Sequence, residues 1–150
     1  MSSFKFGILG GDLRYKILSD MLKKEGYQVC SFCNNCIDCA HKDFDTLFDG
    51  TDVIIGPIPF SKDNEKVFLT DCMEIKINDL LKKMNKNDVK LIIGGVISDK
   101  IRETSAKHGI RIFDFFEHEA VAVLNAIPTA EGAILKAIEE SDRTIFGSKC

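Results

Sequence analysis

The 150-residue chain has no tryptophan, three prolines and three histidines, and several features that would decide its class at once are missing. There is no excess of positive charge. Twenty lysines and arginines face 23 aspartates and glutamates, a formal net charge of −3, and the basic residues are dispersed, so no nucleic-acid footprint is expected. The N-terminus, MSSFKFGILGGD, lacks the apolar run and cleavage pattern of a signal peptide, and no apolar run is expected to approach the ~20 residues that span a bilayer. These absences point to a cytoplasmic protein without a membrane partner. No repeat, low-complexity tract or linker interrupts the order, so residues 1–150 read as a single domain.

What is present is a regular alternation. Short β-rich runs, FKFGILGG, YQVCSF, TDVIIGPIPF, VKLIIGG and IRIFDFF, alternate with amphipathic segments, and 45% hydrophobic content is enough to bury a core. The segment LRYKILSDMLKKEG places Ile17, Leu18, Met21 and Leu22 on one helical face, and INDLLKKMNK does the same with Ile77, Leu80, Leu81 and Met84. Ser98 reads as a helix cap and Gly109 as a stop. The segment KVFLTDCMEI reads as an extended excursion before the second helix, and the C-terminal third reads as helical on both sides of Pro128. Strands alternating with helices predict an α/β fold with a parallel sheet covered on both faces.

The informative loops follow strands: GGDLR after the first, GPIP after the third and GG after the fourth. In an open parallel sheet such loops gather at the carboxyl edge, where ligands bind. Asp12, Arg14, Pro57, Gly94 and Gly95 are therefore candidate binding residues. The first loop is not a dinucleotide fingerprint. Gly7, Gly10 and Gly11 do not have the G-x-G-x-x-G spacing that lets backbone approach a pyrophosphate.

Six cysteines include the run CSFCNNCIDC, Cys30 to Cys39, with a thiol at every third position. Its last spacing is one residue short of a cluster-binding run, Ala40 stands where that motif has proline, and two C-x2-C pairs this close leave little room for one tetrahedral zinc ion. Cys30 falls in a strand, where it packs as a small apolar side chain. Free reduced thiols without metal are expected for Cys30, Cys33, Cys36 and Cys39 in a reducing compartment. His108 suits the last turn of a helix, and His118, between Glu117 and Glu119, suits a solvated cluster. In NAIPTAEGAI, Pro128 and Thr129 read as a helix start, and Gly132 in the first turn suggests something approaching the backbone. The amides near Glu131, with Asn125 and Thr129, would then form an anion-binding helix N-terminus.

Taken together, NAIPTAEGAI, GGDLR, DVIIGPIP and DRTIFGS resemble the N-terminal domain of the dipicolinate synthase A-subunit family across nearly the whole chain. The resemblance implies a three-layer flavodoxin-like sheet like the substrate domain of D-2-hydroxyacid dehydrogenases. It also implies an NAD(P)-binding Rossmann domain that would follow Cys150 and is absent from this chain. The implied activity is oxidation of a dihydrodipicolinate-type precursor in the mother cell of a sporulating bacterium, using NAD or NADP bound by that second domain and a flavoprotein-like second subunit. Residues 1–150 alone would then be inactive, and a homo-oligomer is compatible with the resemblance. It also implies a small dicarboxylate as substrate, and the placement of the residues themselves then puts Arg14 on one carboxylate and Asn125, Thr129 and the Glu131 amides on the other. No catalytic residue is assigned, because His118, Glu119 and Ala120 depart from the family pattern. A stand-alone cysteine-based metal or redox sensor, and a flavodoxin-like binding module without chemistry, are the two other readings.

Overall fold

The computed structural model describes residues 4–34, 40, 41, 43–70 and 72–141. They form two compact units, residues 1–115 and 116–150. In the first unit six strands pair parallel in the order β3-β2-β1-β4-β5-β6. They are β1 (Lys5–Leu9), β2 (Gln28–Phe32), β3 (Ala40–His41), β4 (Val53–Ile55), β5 (Leu91–Gly94) and β6 (Arg111–Asp114). Leaving aside the two-residue edge β3, this is the flavodoxin-like order, with reversal between β1 and β4. The loops after those two strands flank the crevice where such sheets bind ligands.

Helices α2 (Ile77–Lys86) and α3 (Asp99–Lys107) cover one face together with the 3-10 turn Asp45–Phe48. Their core includes Leu9, Phe32, Ile54, Leu80, Met84 and Ile92, all nearly or wholly buried. The α2 face is the one expected: Ile77, Leu80, Leu81 and Met84 are all buried. Ser98 caps α3 by accepting from the Ile101 amide, as the sequence predicts, and His108 closes that helix with Nδ1 3.0 Å from the Thr104 carbonyl. Cys30 is buried, as its strand position implies.

The other face carries α1 (Leu13–Lys24) alone within this unit. Here the expectation from the sequence is corrected. Ile17 and Met21 are more than half exposed, and the contact line is Tyr15, Leu18, Ser19 and Leu22. The helix covers only part of its face of the sheet, so an apolar groove of about 350 Å³ runs beside it past Phe6, Leu18, Leu22, Ile55, Ile58 and Ile93. The apolar stripe of α1 is therefore wider than the strip it buries.

In the second unit α4 runs without a break from Glu119 to Glu139, with Pro128 inside it. A helix starting at Thr129 is thus overturned. Proline cannot donate to the carbonyl four residues back, and at the next step the Thr129 hydroxyl donates to the Asn125 carbonyl at 2.9 Å. The expectation of no membrane-length apolar segment is corrected too, since α4 is long and apolar enough to cross a bilayer by length and composition alone. Glu131 near its middle opposes that use, because a carboxylate at the bilayer centre costs roughly 2.5–3.5 kcal/mol.

Candidate functional site

The site is built on the turn from β1 to α1. Gly10 and Gly11 have φ of +70° and +94°, a conformation that side-chain-bearing residues rarely adopt. They are needed for space as well: a Cβ on Gly10 would run into the Leu69 side chain and one on Gly11 into the Tyr15 ring. The turn is fixed from β2. The Gly10 amide donates to the Phe32 carbonyl at 2.8 Å, and the buried Asn34 side chain donates to the Gly10 carbonyl at 3.0 Å.

Asp12 caps α1 by accepting from the Arg14 amide at 3.0 Å, and the same carboxylate grips the Arg14 guanidinium through Nε and Nη2 at 2.8–3.1 Å. The Arg14 hydrogen bond holds the Asp12 carboxyl below its usual range, and the Asp12 hydrogen bond raises the Arg14 pKa in turn. The pair is solvent-facing, with side chains 56% and 71% exposed, so its value is orientation more than stability. It leaves the outer edge of a permanent cation facing solvent at the rim of the apolar groove.

The neighbouring loops close on this turn. Tyr15 passes beneath the edge and donates its hydroxyl to the Gly56 carbonyl at 3.0 Å, and burial pushes its pKa up to about 12. The Gly56 amide donates to the Ile93 carbonyl, and the Phe60 amide to that of Gly95. Pro57 packs toward Gly10, and the Ile58-Pro59 bond is cis. The loop after β5 is tied to β6 by Asp114, which is 6% exposed, accepts from the Ile97 amide at 2.8 Å and lies 3.5 Å from Arg102. Asp12, Arg14, Pro57, Gly94 and Gly95 therefore do share the carboxyl edge.

The remaining candidates, Asn125, Thr129 and Glu131, lie on α4. Their amides belong to a helix interior, so the free helix N-terminus inferred from the sequence is not there. Residues two apart on a helix lie roughly 160° apart around its axis, so Glu131 faces away from Thr129 and joins the side of Ile127, Ile134 and Leu135. Gly132 has nothing within 4 Å of a notional Cβ, so no described atom explains it.

The cysteine expectation is corrected at Cys33, which is joined to Cys72 with a Cα–Cα distance of 5.7 Å. The two are 39 residues apart in sequence and meet because the loop after β2 and the excursion after β4 converge on the same edge. Cys30 is a free, buried thiol, and Cys33 is paired. Cys36 and Cys39 lie outside the described residues. Among the described residues no group of three or more His, Cys, Asp or Glu side chains is arranged for a metal.

Sequence patterns do not single out Tyr15, Asn34, Leu69, Cys72 or Asp114. Only Asp114 leaves a signal, a charged residue inside the apolar run IRIFDFF.

Comparison with known proteins decides the family. The profile of the N-terminal domain of the dipicolinate synthase A subunit matches residues 5–116. This chain belongs to that family. A 59-residue stretch is 34% identical to the dipicolinate synthase A subunit of Bacillus subtilis (strain 168), covering 39% of this chain and 20% of that protein. The fold is similar to two solved structures of dipicolinate synthase A subunits. The one from Bacillus subtilis superposes with a TM-score of 0.74 at 22% identity over 97% of this chain and 51% of that one. The one from Bacillus halodurans gives 0.80 at 22% identity over 95% and 50%. The chain thus spans about half the length of these structural relatives.

Proposed function

We propose that this chain holds the small dicarboxylate substrate of a dipicolinate-forming oxidoreductase that works during sporulation in the cytoplasm of the mother cell. NAD(P) is bound by the part of the longer relatives that this chain does not span, and a flavoprotein-like second subunit completes the enzyme. The observation that carries the reading is the family match over residues 5–116, which encloses an oriented Arg14 at the strand-order reversal. A guanidinium recognises carboxylate bidentately, and one already held by Asp12 loses little freedom in doing so.

The β1–α1 turn does not fit a pyrophosphate. Leu69 and Tyr15 lie where backbone approach to Gly10 and Gly11 would be needed. This supports assigning the nucleotide elsewhere. The chain's own residues bind and orient; the chemistry that NAD(P) supplies, acceptance of a hydride, takes place outside it.

Amide-resolved NMR titration of the 150-residue chain with dipicolinate, and separately with NAD and NADP, tests the reading. Dipicolinate should shift Gly10, Gly11, Arg14 and Gly94 saturably, and Arg14→Lys should weaken binding roughly tenfold by removing the two-pronged contact. The nucleotides should leave these resonances in place. No saturable shift at roughly millimolar dipicolinate, where about 4 kcal/mol of binding is already visible, refutes the site.

A further inference from the structure

We propose that Cys33 and Cys72 form a reversible dithiol–disulfide site that locks the excursion after β4 onto the Gly10–Gly11 turn. Cys33 follows β2 directly in a left-handed conformation, φ 57°, which turns the chain toward the excursion. Asn34, next in sequence, holds the Gly10 carbonyl. On the other strand of the link, Leu69, three residues before Cys72, lies against Gly10 in the space that a side chain would occupy. One covalent bond therefore ties together the loop that shapes the turn and the side chain that covers it.

The base of the excursion has its own backbone bonds. Val67 donates to the Ile75 carbonyl, Phe68 to that of Phe60 and Ile77 to that of Glu65. Cys33, Leu69 and Cys72 are only partly buried and pack against the main core from its rim. A small thiol or disulfide in solution can reach such sulfurs, whereas buried Cys30 is shielded.

The chemistry balances with a low-molecular-weight disulfide as oxidant. The thiolate of one cysteine attacks a sulfur of that disulfide and releases one thiol. The second cysteine then attacks the mixed disulfide, releases the other thiol and closes the Cys33–Cys72 bond. The protein loses two electrons and two protons, and the small disulfide gains them. A dithiol reverses the sequence. Oxidation holds Leu69 over the turn, and reduction lets the excursion lift from it. The proposal concerns the thiols and the loop and stands apart from the identity of the substrate.

The 150-residue chain, reduced with a dithiol and then equilibrated with oxidised and reduced glutathione, is alkylated and digested for disulfide mapping. Hydrogen exchange is followed on peptides spanning residues 9–12 and 66–70. A Cys33–Cys72 crosslink should dominate, and exchange at 66–70 should slow roughly tenfold or more on oxidation, as expected when a local opening is tied down. Cys72→Ser should abolish the redox dependence, while Cys36→Ser with Cys39→Ser should keep it. A dominant crosslink from Cys33 to Cys36 or Cys39 overturns the proposal. So does exchange at 66–70 that is the same in both redox states.

Discussion

Asp114 is the buried carboxylate on which the loop after β5 depends, and its replacement is the sharpest test of how the carboxyl edge is held. In Asp114→Ala the Ile97 amide loses its acceptor at 2.8 Å in a residue only 7% exposed. An unsatisfied buried donor costs about 1–3 kcal/mol. Arg102, its side chain 26% exposed, loses its carboxylate at 3.5 Å, which adds about 0.5–1 kcal/mol at that distance and exposure. The total is about 1.5–4 kcal/mol. Asp114→Asn keeps the shape and one carbonyl acceptor, so about 1 kcal/mol is expected. Urea unfolding of both variants gives the stabilities, and hydrogen exchange at Ile97 shows whether the loss is local. An alanine variant within about 0.5 kcal/mol of the parent, the range of ordinary surface changes, refutes the reasoning. An asparagine variant as unstable as the alanine one shows that charge, and not the acceptor, holds the loop.

Three further outcomes follow from the same edge. Tyr15 has a folded-state pKa of about 12 against 10 for the free side chain, so its contribution is complete below pH 10 and lost as pH rises toward 12; the loss is about 3 kcal/mol, and Tyr15→Phe should flatten alkaline unfolding curves. Gly10→Ala puts a side chain at φ +70° and displaces the flexible end of Leu69, which should cost about 1–2 kcal/mol in thermal or urea unfolding. Val96 is a β-branched, 59% exposed residue at φ 58°, so Val96→Gly should stabilise the fold by about 0.5–1 kcal/mol, measurable as a raised Tm.

The parallel sheet is legible because β-rich runs alternate with amphipathic segments and β1, β4 and β5 end in glycines or Gly-Pro, and α2 because its four apolar side chains all meet one core. Apolar spacing misjudged α1 for a physical reason. Periodicity reports which side chains are able to be buried, but the buried line is set by what the helix touches: Leu18 and Leu22 of the expected face do pack on the sheet, joined by Tyr15 and Ser19, while Ile17 and Met21 stay exposed. Pro128 followed by threonine carries the local signature of a helix start. The same pair inside α4 is compatible with an unbroken helix, since the hydroxyl donates to a carbonyl of the preceding turn. The Cys33–Cys72 pair had no signature at all. The dense run Cys30–Cys39 dominates the cysteine pattern, whereas pairing depends on which loops the topology brings together.

The arrangement at the carboxyl edge also bears on what the domain contributes to a reaction. Each polar group described around the turn already has a structural engagement: Gly10 through Phe32 and Asn34, Asp12 through Arg14, and Tyr15 through Gly56. A hydroxyl whose pKa is pushed up and whose proton is donated to a buried carbonyl is poorly suited to be a base near neutral pH. An acidic residue with a lowered pKa that also caps a helix is equally ill matched to donating a proton. What the edge offers is a rigid backbone and a cation whose direction is set before any ligand arrives. Such preorganisation lowers the ordering cost of binding and holds an anionic molecule in one pose. It does not by itself move protons or hydride. The proposed function requires that division: a domain that fixes the dicarboxylate, and a nucleotide brought to it from outside these residues.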